Sequence, residues 1–137
     1  MRKRTRGREI ALQILYAGEI TKDPLEVCLE RRRKEDPAED PEVMEFAAHL
    51  VEGVISNLKD IDDMVSASAD NWKIERMATI DRNILRIAAF ELKLSGDVPP
   101  KVAINEAIEM AKKYGDKDSG KFVNGILDKI NKTPEVK

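Results

Sequence analysis

The sequence holds one cysteine, Cys28, and one histidine, His49. A single thiol excludes an internal disulfide and any CxxC metal or redox motif. A lone histidine with no cysteine near it has no partner for ligating a metal or relaying a proton. Aromatics are scarce too, with one tryptophan, two tyrosines and three phenylalanines in 137 residues. Glycine is sparse, and no stretch alternates apolar and polar residues long enough to read as a strand. No apolar run approaches the length of a membrane span, and no apolar signal stretch follows the basic start. The expectation is a cytoplasmic chain with no metal, no cofactor and no membrane contact.

What the chain has in quantity is charge, 36% of residues against 42% hydrophobic, which suits a folded and heavily solvated domain. The net charge of −2 conceals an asymmetry. Arg2, Lys3, Arg4, Arg6 and Arg8 put five cations and no acid into the first eight residues, so the remainder carries −7. A basic arm on an acidic body offers one local cationic site rather than a general polyanion coat.

Apolar residues recur at three- and four-residue steps almost throughout, which predicts an all-α chain. A first helix begins in the arm and runs to about Ile20, and a shorter one follows Pro24 through Leu29. Arg31–Lys34 reads as a helix end whose cations suit the terminal carbonyls, and an acidic connector follows it. Val43, Ala47, Leu50, Val54, Leu58, Ile61 and Val65 predict one long helix, bent near Asp60. These elements form a three-helix N-terminal subdomain over about 1–68. Residues 66–71 read as a hinge, with Trp72 plugging the join. A C-terminal subdomain of three or four helices then spans about 72–133.

In that second half, Thr79 is placed to cap a helix carrying Ile80, Ile84, Ile87, Ala88, Glu91 and Leu92. Arg82 and Arg86, of like charge at i,i+4, invite an anionic partner, either an internal carboxylate or a phosphate, and the internal one is favoured. Pro99 and Pro100 suit a helix entry, because the first turn can spare a backbone N–H. Ala103, Ile104, Ala107, Ile108, Ala111 and Tyr114 share a face of that helix, and Gly115 is placed to end it in the left-handed conformation. Asp118 or Ser119 caps the next helix, which buries Phe122 or Val123 with Ile126, Leu127 and Ile130 and stops before Pro134.

The corner between these last helices, Gly115 to Lys121, satisfies the phosphate-loop spacing G-x-x-x-x-G-K. It fails at the next position, where Phe122 stands in place of the magnesium-binding hydroxyl. A helix rather than a strand precedes it, and Asp116 and Asp118 would repel phosphates. No serine pairs with a histidine, and the carboxylates are scattered over helix faces, so no catalytic residue is assigned.

Several stretches together resemble the NusB family of bacterial transcription antitermination factors. They are Ala11-Leu-Gln-Ile-Leu-Tyr16, Trp72-Lys-Ile-Glu-Arg-Met77, Ile80-Asp-Arg-Asn-Ile-Leu-Arg-Ile-Ala-Ala-Phe-Glu-Leu92, Lys101-Val-Ala-Ile-Asn-Glu-Ala-Ile-Glu109 and Lys121-Phe-Val-Asn-Gly-Ile-Leu127. The likeness covers nearly the whole chain except Thr21 to Glu42. It implies two packed helical bundles and a non-enzymatic role in ribosomal RNA transcription. It also implies pairing with NusE, a small-subunit ribosomal protein, binding of the pair to boxA-type RNA, and an indirect link to the RNA polymerase elongation complex. Carried over residue by residue, the RNA side comprises Arg2, Lys3, Arg4, Arg6, Arg8, Tyr16, Asp81, Asp118, Ser119, Lys121 and Phe122. A homodimer through the arginine-rich face is a further arrangement the resemblance allows.

Residue chemistry points the same way. Single-stranded RNA is gripped by phosphate contacts and by stacking on aromatic or arginine planes. The arm supplies cations and Tyr16 a π-face, while Asp81 and Asp118 can accept from base amino groups or ribose hydroxyls. The competing reading is a helical protein-docking module that never touches RNA.

Overall fold

The computed structural model describes residues 2–70 and 72–134, and every described regular element is helical. The elements are α1 (Lys3–Thr21), α2 (Leu25–Glu35), α3 (Pro41–Ser56), α4 (Leu58–Ser68), a 3-10 turn (Ile74–Arg76), α5 (Thr79–Phe90), α6 (Pro100–Tyr114) and α7 (Ser119–Lys132). A π-helical turn, Glu91–Ser95, prolongs α5. The all-α expectation holds.

Helix α1 is the centre of the molecule. It packs on α2, α3 and α5, and residues Gly7 through Leu12 are all buried. Its apolar stripe therefore extends most of the way round, as expected of a helix enclosed by neighbours. Two charged residues, Arg8 and Glu9, fall inside that enclosure. Buried charges must be paired, and these two are. Arg8 meets Glu91 and Glu106, and Glu9 meets Lys113.

The long helix expected over Val43–Val65 is two helices, and the break falls at Asn57 rather than near Asp60. Asn57 leaves helical geometry at φ −124°, and its side-chain amide donates to the Gly53 carbonyl at 2.9 Å. It thereby satisfies one of the free carbonyls at the end of α3. Its own carbonyl accepts from Ile61 and starts α4. The break turns Leu58 outward, while Val43, Ala47, Leu50, Val54, Ile61 and Val65 are buried as the spacing requires. Helix α4 packs chiefly on α5 and α7, so it sides with the C-terminal bundle. One continuous apolar cluster, from Ile10 of α1 to Ile130 of α7, runs through both bundles.

Polar ties align the halves. Glu19 of α1 accepts from Arg82 and Arg86 of α5, and Arg86 also donates to Asp62 of α4. The internal carboxylate favoured for the two arginines is thus Glu19, shared by both. Burial works against its charged form, but the two guanidinium groups outweigh that and hold its carboxyl below the usual range.

Three local expectations are corrected. Gly115 is extended, at φ −91° and ψ −165°, instead of left-handed. What requires glycine there is space, since a Cβ would sit 2.6 Å from Ser119 Cβ and 2.8 Å from the Ala111 carbonyl. Thr79 does not cap α5, whose N-cap is Ala78. Trp72 does not plug a join; it is 55% exposed. Of the hinge residues, Asn71 lies outside the described residues, and Asp70 takes a left-handed φ of 49°.

Candidate nucleic-acid interface

The basic arm is the first two turns of α1, so its charges are fixed in direction by the helix. Most of them already have partners. Lys3 lies 3.1 Å from Asp40 and 3.2 Å from Glu42, and Arg6 donates to Glu39 at 3.2 Å. Arg8 is enclosed. Its guanidinium donates twice to Glu91, at 2.8 and 2.9 Å, and once to Glu106, at 3.0 Å, and lies over the Phe46 ring. Thr5 also donates to Glu106. Arg4 also lies over the Phe46 ring, 4.9 Å from its centroid, and remains exposed. Among the described residues neither Arg2 nor Arg4 faces a carboxylate within ion-pair distance. Of the five arm cations, these two are open to a phosphate.

Helices α1 and α6 run alongside each other in the same direction. Thr5 and Arg8 reach Glu106, Glu9 reaches Lys113, and Gln13 reaches the Tyr114 hydroxyl. By that register Tyr16, 41% exposed, stands one turn past Gln13, beside the corner that follows Tyr114. The groove between α1 and α6 is lined by Arg2, Lys112 and Lys113 with Glu9, Glu106 and Glu109. A second groove, between α6 and α7, is lined by Lys112, Lys117, Lys121 and Asp116. Lys112 belongs to both. The two grooves therefore adjoin at Lys112, and acids alternate with the cations that line them.

The corner is held by Asp116. Its Oδ1 accepts from the Asp118 backbone N–H at 2.8 Å and from the Ser119 hydroxyl at 3.3 Å. Ser119 Oγ accepts in turn from the Asp116 N–H at 3.0 Å. Neither Asp118 nor Ser119 caps α7 in the expected way, because Asp116 and Ser119 close the turn between themselves. Ser119 is buried and Asp118 exposed. Asp81, at the start of α5, sits behind the corner with 8% of its surface exposed, and its Oδ1 has no hydrogen-bond partner among the described residues. Burial pushes its carboxyl above the usual range, the Ser119 hydroxyl draws it partly back, and the Asp116 charge adds to the rise.

On α7, Val123 takes the core position and Phe122 the edge, half-buried, which settles which of the two lies inside. The Phe122 ring meets Trp72 edge-on, with centroids 6.1 Å apart. Lys112 and Lys117 were not singled out in the sequence. The readable signal was their position, one on each side of the Gly115 turn.

The remaining features do not compose a catalytic or metal site. His49 directs one nitrogen, Nε2, towards both Ser95 (3.4 Å) and Asp97 (3.5 Å), while Ser95 donates to Asp97 directly. A relay needs the histidine between the other two, using both nitrogens. Among the described residues no group of histidine, cysteine and acidic side chains could hold a metal ion. No described helix is long and apolar enough to cross a membrane. In the Arg31–Lys34 run, Arg31, Arg32 and Arg33 are paired with Asp23, Asp36 and Glu30, as a solvated helix end would be.

Comparison with known proteins matches residues 5–132 to the sequence model of the NusB family. The chain belongs to the NusB family. It is 50% identical over 128 residues to the transcription antitermination protein NusB of Anaeromyxobacter sp. (strain Fw109-5), covering 93% of this chain and 89% of that one. Among solved structures, T. maritima NusB superposes with a TM-score of 0.87 at 42% identity, over 94% of this chain and 90% of that one. A chain from a complex of antitermination factors NusB and NusE with double-stranded RNA gives 0.86 at 27% identity, over 96% and 98%.

Proposed function

We propose that this chain is a transcription antitermination factor that binds boxA-type single-stranded RNA during ribosomal RNA transcription. It does so as one half of a pair with a NusE-type small-subunit ribosomal protein, and it meets the RNA polymerase elongation complex indirectly. The observation that supports this reading best is that the groove beside Arg2 and the groove beside Lys121 adjoin at Lys112. The similar chain in a complex of NusB and NusE with double-stranded RNA supports the coarser part of it, a NusE-type partner and RNA.

In this reading Arg2, Arg4, Lys117 and Lys121 hold phosphates, and Tyr16 and Phe122 offer faces to bases. Asp118 accepts from base amino groups or ribose hydroxyls and adds selectivity, because a carboxylate repels phosphate; the unpartnered oxygen of Asp81 is buried behind the corner and meets a base only if the corner opens. Lys3 and Arg6 reach RNA only by leaving Asp40, Glu42 and Glu39. Arg8 and Ser119 are positioning residues, one fixing α1 and the other the corner. No residue has a catalytic role, and a homodimer through α1 would cover the arm.

The test is a gel-shift of boxA-type RNA across salt concentrations, with and without the ribosomal partner. Neutralising about four phosphates of a single strand gives a log–log salt slope near −3, and each of Arg4→Ala and Lys121→Ala flattens it by about 0.7. No shift in either condition would leave a docking module that does not bind RNA. A slope untouched by both substitutions would move the RNA elsewhere.

A further inference from the structure

The largest apolar side chain in the sequence is more than half exposed. Trp72 is 55% accessible, although a buried place would have stabilised the fold by about 2 kcal/mol or more. Its orientation is nonetheless defined. Its backbone N–H donates to the Ala69 carbonyl, and its ring packs edge-on against Phe122. In an edge-to-face pair the rim of one ring meets the face of the other, so the Phe122 contact takes at most one face of the indole.

The position of that ring follows from the register of α7. Asp118, Phe122, Gly125 and Lys129 recur at four-, three- and four-residue steps and so share one helix face. Gly125 has no heavy atom within 4 Å of where a Cβ would stand, so this face is open between Phe122 and Lys129. Lys129 closes it by pairing with Asp70, two residues before Trp72. Next along the chain, Lys73 and Arg76 are exposed, and among the described residues neither is within ion-pair distance of a carboxylate. The α7 face that begins at Asp118 thus leads past Phe122 to a largely exposed indole, followed in the chain by two open cations. An aromatic face beside phosphate-binding cations is the combination that holds a base of single-stranded nucleic acid.

We infer that Trp72 is a further RNA-binding residue, stacking a nucleobase next to the one at Phe122 and carrying the single-stranded RNA beyond the corner along α7, with Lys73 and Arg76 on its phosphates. The inference rests on the proposed RNA function and adds to it a subsite and a direction for the strand.

Trp72 is the only tryptophan in the chain, so the native protein carries its own probe. Titrating a short boxA-type oligoribonucleotide should quench its fluorescence along the same curve that a gel-shift reports. Trp72→Ala should weaken binding about five- to a hundred-fold, the range found for loss of one stacked base. Trp72→Phe should restore most of the affinity. Neither variant should alter the salt slope, since neither removes a charge, whereas Lys73→Ala should flatten it. Far-ultraviolet circular dichroism should show both Trp72 variants folded, as expected for an exposed side chain. RNA binding that persists in Trp72→Ala with unchanged affinity, and without fluorescence change in the native protein, overturns this inference and leaves the RNA function standing. A wild-type chain that binds no RNA overturns both. Loss of the ribosomal partner in Trp72→Ala, with RNA affinity intact, would make the indole a protein contact and also overturn it.

Discussion

Arg8→Ala separates the structural role of the basic arm from the RNA-binding role proposed for it. The Arg8 and Glu91 side chains are 3% and 2% exposed. The substitution removes two hydrogen bonds to Glu91, one to Glu106 and the contact over Phe46, and it strands the Glu91 carboxylate in a dry site. Breaking one partner of a buried ion pair typically costs about 3–5 kcal/mol. At a urea dependence of about 2 kcal/mol per molar, the unfolding midpoint should fall by roughly 1.5–2.5 M. The melting temperature should fall by roughly 10–17 °C for a chain of this size. Arg8→Met with Glu91→Leu removes both charges and fills much the same volume, so the double variant should recover most of the loss. Its RNA salt slope should match that of the native chain, because Arg8 holds no phosphate. A loss below about 1 kcal/mol in Arg8→Ala, as exposed pairs give, would refute the burial argument. A stable double variant with a flattened slope would refute the positioning role.

Two further substitutions test the fold and the corner. Gly53→Ala places a Cβ on the tip of the Phe90 ring, 2.6 Å from Cε2 and closer to Cζ and Cε1, and should cost about 1–3 kcal/mol by forcing α3 and α5 apart, read as a lowered urea midpoint. Asp81 has a carboxyl raised by burial, so the folded state binds its proton more readily than the unfolded state does. Stability from this group therefore rises as pH falls through the raised value and is lost again above it. Asp81→Asn should raise the melting temperature at neutral pH, and the gain should shrink as the pH falls through the raised value and the native carboxyl takes up its proton, so a difference between variant and native chain that stays constant with pH would refute the assignment.

Much of the fold could be read from periodicity. The faces of α3, α6 and α7 are buried where the three- and four-residue steps put them, because tertiary packing acts on the same stripe that the sequence displays. The break at Asn57 could not be read in this way, since the apolar steps continue across it and a lone asparagine carries no distinctive turn signal. Gly115 was legible as a necessary glycine but for another cause, because close approach of Ser119 leaves no trace in a single sequence. The enclosure of Arg8 was legible and was overlooked. Arg8 precedes Leu12 and Leu15 by four and seven residues, and Glu91 follows Ile87 and Ile84 in the same way. Two opposite charges, each lying on an apolar stripe, are the sequence form of a buried pair. Within a run of basic residues, however, Arg8 reads as one more solvent-facing cation. Trp72 misled for the converse reason, since a large apolar residue at a junction is expected inside.

The pairing of the arm bears on how strongly this surface can hold RNA. Three of the five arm cations sit against acids, so a phosphate meets two open charges there and must displace carboxylates to reach Lys3 or Arg6. Those two pairs are at the surface, where an ion pair is worth about 0–1 kcal/mol, so the exchange costs little but also gains little. Arg8 cannot exchange at all without exposing Glu91. The net field is therefore modest, and on the proposed reading affinity comes from stacking at Tyr16, Phe122 and Trp72 and from whatever a partner adds. Such a surface would discriminate poorly between polyanions by charge and better by whether the bases are unpaired, since a duplex hides the faces that aromatic side chains require. A chain built in this way should prefer single strands to duplex RNA by a margin that widens as salt rises, because screening weakens the phosphate contacts and leaves the stacking intact.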